Sequence, residues 1–175
     1  MSFRQVEDCG AGFVKKIVKI GKALPKEYSI DRLVEDRDKF TEEEFIALHQ
    51  QFSELEVSQL ATPEEKTILA PLVEVFFDNN NIPVLVYPKF TPILSQEDAA
   101  LLSEEDAVAR TLYEFSLKDV SDEKLGKFYN LGLSICENFY LSKEDCLYNL
   151  NNIGYHEVFG FRIIDFGLSE ELAGY

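Results

Sequence analysis

The apolar residues of this chain fall into two kinds of spacing, one suited to strands and one to helices. Residues 69–77 and 82–87 are dense in Val, Leu, Phe and Tyr, and Asp78-Asn79-Asn80-Asn81 between them is turn chemistry. That arrangement predicts a hairpin. Nearer the start, residues 6–20 set Gly10 and Gly12 ahead of a partly alternating, β-branched run, which predicts strand–turn–strand. Residues 21–26 predict a turn, 27–34 a further strand, and 161–164 a short apolar strand near the end of the chain.

Helical spacing begins at Phe45, Leu48, Phe52 and Leu55, which recur on one face. Thr41-Glu42-Glu43-Glu44 immediately before them is a capping box, so a helix should run from there to about Gln59, short of Thr62-Pro63. Residues 95–114, with Ser95 as cap, predict a second helix. Residues 122–141 predict a third, with Leu125, Phe128, Tyr129, Gly132, Leu133 and Cys136 on a broad apolar face. Ser142-Lys143-Glu144-Asp145 is a further helix start, with Ser142 as its cap.

Composition narrows the class. At 175 residues, 46% hydrophobic with fourteen Phe and eight Tyr, the chain can bury a core as one domain or as two small lobes. No apolar run reaches bilayer-spanning length and the first residues do not read as a signal peptide, which predicts a cytoplasmic protein. Cys9, Cys136 and Cys146 are odd in number and widely spaced, arguing for thiols in a reducing compartment rather than a disulfide framework or a zinc cluster.

The net charge of −15 is uneven: residues 1–26 carry +4 and the remainder −19. An acidic body of this kind disfavours nucleic acid and anionic membranes and suits a protein partner with a basic surface. His49 and His156 have no Cys or carboxylate at metal-ligand spacing, and no Gly-x-Ser-x-Gly nucleophile elbow is present.

The segment 149–169 carries the most specific chemistry. Asn152 is followed thirteen positions later by Asp165-Phe166-Gly167, at the end of the apolar strand 161–164. This resembles the metal-binding segment of the protein-kinase family, in which an Asn of the catalytic loop and the Asp of Asp-Phe-Gly hold magnesium on ATP. The resemblance implies ATP and Mg²⁺ as cofactors, with Asn152 and Asp165 as metal ligands. Gly10 and Gly12 are similar to part of the glycine-rich loop over the phosphates, although a third glycine is missing. No Val-Ala-Ile-Lys pattern follows. By spacing, the phosphate-contacting lysine falls near Arg32, and Glu54 or Glu56 would be its helix partner. Residues 88–92 resemble the linker between kinase lobes.

Two departures qualify the likeness. The catalytic-loop Asp of the family lies five residues before its Asn, and here that position is Leu147, which cannot accept a proton. The nearest carboxylate, Asp145, lies two residues earlier and would serve only in a rearranged loop. The chain also ends ten residues after Asp165, so the family's substrate platform has no counterpart.

The expectation is an α+β, kinase-like fold: a small antiparallel sheet lobe with one helix over 1–90 and a truncated helical lobe over 91–175. The expected function is that of a pseudokinase that binds and modulates another protein, a format that suits a viral inhibitor of a host factor. The alternatives are a minimal ATP-dependent protein kinase using Asp145, and an acidic decoy on the nucleic-acid-binding surface of a basic partner.

Overall fold

The strands within residues 4–18 and 74–88 join in one antiparallel sheet, and those within 91–92 and 153–163 join in another. The computed structural model describes residues 3–173, which fold into two compact units. Among them are seven α-helices and seven strands in two antiparallel sheets, a mixed α+β architecture. No helix among the described residues is long and apolar enough to cross a membrane.

Of the described residues the first unit takes 3–60 and 71–89. It contains β1 (Arg4–Gly10), β2 (Phe13–Val18), α1 (Ile30–Glu35), a 3-10 turn (Arg37–Lys39), α2 (Glu42–Leu60), β3 (Glu74–Phe77) and β4 (Pro83–Pro88). The strand order is β1-β2-β4-β3. Arg4 pairs with Val18, Val6 with Lys16, and Lys16 in turn with Leu85. Because side chains alternate along a strand, Arg4 and Lys16 share one face of the sheet.

The long helix α2 forms as its signals dictate. Glu44 N–H donates to Thr41 Oγ1 (3.2 Å) while the Glu44 carboxylate accepts from Thr41 N–H (2.9 Å). Phe45, Leu48, Phe52 and Val57 are buried on its inner side, each worth about 1.5–3 kcal/mol of transfer free energy. The β3–β4 turn is locked by Asp78, whose Oδ1 accepts from the amides of Asn80 (2.8 Å) and Ile82 (3.1 Å), with Asn81 left-handed at φ 60.

Two strand expectations need correction here. Residues 27–34 do not form a strand: Ser29 Oγ accepts from Arg32 N–H and starts α1, which buries Leu33. A side-chain cap outweighed the modest β-propensity of the segment. Strand β3 is also shorter than 69–77, beginning only at Glu74. Pro71 has no amide to donate to a ladder, and Leu69 instead bridges to Ile163 in the second unit.

Of the described residues the second unit takes 61–70 and 90–173, so residues 61–70 and Phe90 of the expected first lobe belong to it. Its elements are α3 (Pro63–Lys66), β5 (Thr91–Pro92), α4 (Gln96–Ala99), α5 (Glu104–Leu117), α6 (Asp122–Phe139), α7 (Lys143–Cys146), β6 (Ile153–His156) and β7 (Gly160–Ile163). The sheet order is β5-β6-β7. Segment 61–70 is fastened by polar contacts. Glu65 accepts from Ser134 and Asn138 of α6, and the Arg162 guanidinium donates to the carbonyls of Lys66 (3.1 Å) and Leu69 (3.0 Å).

The single helix expected over 95–114 is two. Ser103 caps a new helix by accepting from Asp106 N–H, so α4 stops and α5 starts afresh. Phe115 of α5 stacks on Phe161 of β7 with ring centroids 4.1 Å apart and meets Phe128 of α6 edge-on at 5.5 Å. Helix α6 ends where Tyr140 turns left-handed, at φ 56.

Candidate functional site

In the first unit three charged side chains meet out of water. Glu54, on α2, is wholly buried, and its Oε1 lies 2.8 Å from Lys16 Nζ of β2 and 3.1 Å from an Arg4 guanidinium nitrogen of β1. Its Oε2 accepts from the Tyr87 hydroxyl of β4 at 2.8 Å. Gln51, one turn earlier on α2, accepts from Arg4 Nε (2.9 Å) and donates to the carbonyls of Lys16 and Pro83 (2.8 Å each). Burial, with the Glu54 carboxylate adding to it, holds the Tyr87 phenol far above its ordinary range. Ion pairs this dry persist only when every partner is held in place, and here three strands and a helix hold them.

Alternation along β2 puts Lys16 inward, between Val14 and Val18, a signal readable as a cation on the apolar side of a strand. Counting along the sequence points instead to Arg32. The structure places Arg32 on the exposed side of α1, 3.8 Å from Asp36, and not on any strand. The cation that meets a helix glutamate in this unit is Lys16, while Arg32 lies beside Asp36 at the end of α1. Of the two candidate partners it is Glu54 that is buried, while Glu56 is exposed.

Gly10 and Gly12 flank the β1–β2 turn with φ of 76 and 85, around Ala11 at 54. Within the chain nothing lies within 4 Å of a Cβ built at either glycine. Positive φ is thus sufficient reason for both glycines. The turn is tethered: Gly10 N–H donates to Asp8 (2.7 Å), Asp8 pairs with Lys89 (2.8 Å), and Lys89 N–H donates to Gly12 O (2.8 Å).

The second unit gathers the 142–169 residues. Strands β6 and β7 pair from Ile153↔Ile163 to His156↔Gly160. Beyond them Ile164 N–H donates to Asn152 O at 2.8 Å, so Asn152 and Asp165 stand at the same end of one hairpin. Asn152 is buried and donates through Nδ2 to the Asp145 carbonyl at 2.9 Å. Asp145 lies on α7, where Ser142 caps the helix by accepting from Asp145 N–H. Downstream of Asp165, Phe166 is buried, and Ser142 N–H donates to Leu168 O at 2.9 Å while Leu141 bridges Ser169. An open depression of about 470 Å³ is lined by Ser142, Glu144, Asp145, Asn149, Leu168 and Ala173.

Leu147, five residues before Asn152, is fully buried. A Cβ on Gly132 of α6 would collide with its Cδ2, so the glycine makes the room that Leu147 fills. His49 packs beside Phe45 at 5.7 Å, and His156 lies in an aromatic cluster with Phe90 and Phe159, its Nδ1 accepting from Val158 N–H.

Asn152 and Asp165 bring oxygen donors of the kind magnesium takes to the same end of one hairpin. With Nδ2 committed to Asp145, Asn152 has its amide oxygen as acceptor, and Asp165 supplies a carboxylate. Magnesium takes oxygen ligands of this kind, usually one or two from protein with phosphates and water completing the shell. Among the described residues no cluster of three or more His, Cys, Asp or Glu is suited to a metal. No family model, curated protein or solved structure matches the chain.

Proposed function

We propose that the chain is a kinase-like protein that has lost phosphoryl transfer and works by binding and modulating another protein. The observation that carries this reading is Leu147. Five residues before Asn152, where the resemblance calls for an acid, stands a fully buried leucine seated on Gly132. A side chain without lone pairs can neither take a proton nor orient a hydroxyl.

Kinase-like ancestry is supported within each unit separately. A strand lysine bonded to a helix glutamate, Lys16 with Glu54, is the pairing the resemblance implies. An Asn and an Asp-Phe-Gly at one hairpin end, Asn152 and Asp165, is the other. The acidic composition sets the partner's chemistry: a basic protein surface, bound less tightly as salt rises. Such a surface could be one that otherwise holds nucleic acid.

Nucleotide binding is vestigial or lost in this reading, and thermal denaturation with and without ATP and Mg²⁺ tests that. The expected result is a shift no larger than that of an Asp165→Ala variant. Strong stabilisation by ATP and Mg²⁺, abolished by Asp165→Ala, overturns the reading.

One observation favours a second reading, a minimal phosphotransferase: the Asn152 amide holds the Asp145 carbonyl at 2.9 Å, tying the nearest acid to the Asn–Asp hairpin. Transfer of label from ATP to protein, lost in both Asp145→Asn and Asp165→Ala, would establish it.

A further inference from the structure

Strand β3 ends the sheet of the first unit, and among the described residues no strand pairs with its outer edge. The bonds of β4 show which backbone groups lie on that edge. Lys89 N–H donates to Gly12 O at 2.8 Å, in step with the pairs Tyr87↔Val14 and Leu85↔Lys16, so the odd-numbered residues of β4 bond toward β2. Asp78 N–H donates to Ile82 O at 3.0 Å, in step with Phe76↔Val84 and Glu74↔Val86, so the even-numbered ones bond toward β3. Glu74 and Phe76 therefore turn their N–H and C=O groups to β4, while Val75 and Phe77 turn theirs outward. Pro83, opposite Phe77, has no N–H to offer it, which fits this alternation.

The side chains along this edge are apolar and open to solvent. Val73 is 49% exposed, Phe76 43% and Phe77 57%, and Glu74 is the one charge in 71–77. The opposite edge strand, β1, carries Arg4, Glu7 and Asp8 and breaks register between Asp8 and Gly10. Charges and bulges of that kind keep an edge from pairing. On the β3 side only Glu74 does so.

We propose that β3 is a docking edge for a second copy of this chain, whose own β3 pairs with it antiparallel, centred on Val75. Charge selects this register. Centring on Glu74 would set two Glu74 carboxylates face to face, and centring on Phe76 would set Glu74 against Asp78; like charges directly opposite are destabilising. Centring on Val75 sets Val75 against Val75, Phe77 against Val73, and Phe76 against Glu74. The outward groups of the two Val75 residues then exchange hydrogen bonds, and the two Phe76 rings become diagonal neighbours within reach. A basic partner would find a single carboxylate on this strand, whereas another β3 meets it with matching apolar surface.

The pairing is reversible. About half of three apolar side chains on each copy amounts to roughly a few hundred Å² in all, short of the about 1,200 Å² of stable interfaces. The net charge of −15 also repels a second copy, so the dimer should tighten as salt rises. That trend is opposite to the one expected for a basic partner, and either reading can fail without the other.

Sedimentation equilibrium of the full chain between about 1 μM and about 1 mM tests the proposal, and the mass should rise from one chain toward two. Val75→Pro removes the outward N–H without taking a bond from β4, and should raise the dissociation constant roughly tenfold or more. Phe76→Glu places a carboxylate opposite Glu74 of the copy and should weaken pairing, whereas Phe76→Lys should not. Mixing Phe76→Glu chains with Glu74→Lys chains should restore it. If Val75→Pro fails to fold by circular dichroism, the two Phe76 variants carry the test. A single-chain mass over the whole range overturns the proposal. So does a dimer that folded Val75→Pro leaves unchanged, or on which Phe76→Glu and Phe76→Lys act alike.

Discussion

Replacing Glu54 by Gln removes the carboxylate that Lys16 and Arg4 share, while leaving the volume of the side chain nearly unchanged. The three side chains are 0%, 7% and 9% exposed, so solvent cannot take over the role of the lost charge. Breaking one partner out of a buried ion pair costs about 3–5 kcal/mol, because the charge that stays behind is desolvated and has lost that counter-charge. Part of this is recovered, since a glutamine can still offer an oxygen to Lys16 and an amide to Tyr87. We therefore expect a loss near 3 kcal/mol, a large fraction of the roughly 5–15 kcal/mol that holds a domain together. With a urea slope of about 2 kcal/mol per molar, the midpoint followed by circular dichroism should fall by about 1.5 M. A fall corresponding to less than about 1 kcal/mol is what an exposed pair gives, and it would refute the buried cluster. The triple change Arg4→Met, Lys16→Met, Glu54→Leu offers a control, since an all-apolar replacement should recover most of the loss.

Two further outcomes follow from single contacts. Burial and the Asp36 carboxylate, which accepts from its hydroxyl at 2.7 Å, push the Tyr28 phenol up to about 12 from 10. The folded pKa is raised, so the contribution of Tyr28 is fully present below pH 10 and is lost as pH climbs toward 12. Tyr28→Phe should cost about 1.5 kcal/mol at neutral pH and flatten the decline of stability between pH 10 and 12; a parallel decline in both proteins would count against the assignment. Gly132→Ala gains about 1 kcal/mol of helix propensity but drives a methyl into buried Leu147, and overpacking of that kind costs about 1–3 kcal/mol. Urea unfolding should show a net loss, and the double variant Gly132→Ala/Leu147→Ala should lose less than the two single changes added together; strict additivity would mean the two residues do not touch.

The local signals were legible for a plain reason. A capping box needs only four residues, and Thr41 with Glu44 formed it in both directions. Ser142 began α7 as its sequence suggested, and Asp78 closed the β3–β4 turn through its own carboxylate. Where two local signals competed, the cap won: Ser29 made a helix of residues with respectable β-propensity, and Ser103 cut one expected helix in two. Both outcomes were written in the chain as serines followed at three residues by a backbone donor. Neither serine takes part in the apolar periodicity of its segment.

The charged core was harder to see. Lys16 and Glu54 are 38 positions apart, and Lys16 reaches α2 only because β2 pairs with both β1 and β4. Spacing along the sequence pointed to Arg32, since it measures contour length and takes no account of which strands become neighbours. The placement of Asn152 beside Asp165 was easier, because one short hairpin joins them and its pairing register follows from its turn.

Chain order and residue chemistry alone settled the helix starts, the turns, the hairpins and the absence of an acid at position 147. These depend on hydrogen bonds reaching a few residues along the backbone. Folding in three dimensions decided which cation meets Glu54 and that residues 61–70 join the second unit. Those outcomes rest on the exclusion of water from packed faces, and no stretch of chain carries that information until its distant neighbours have closed over it.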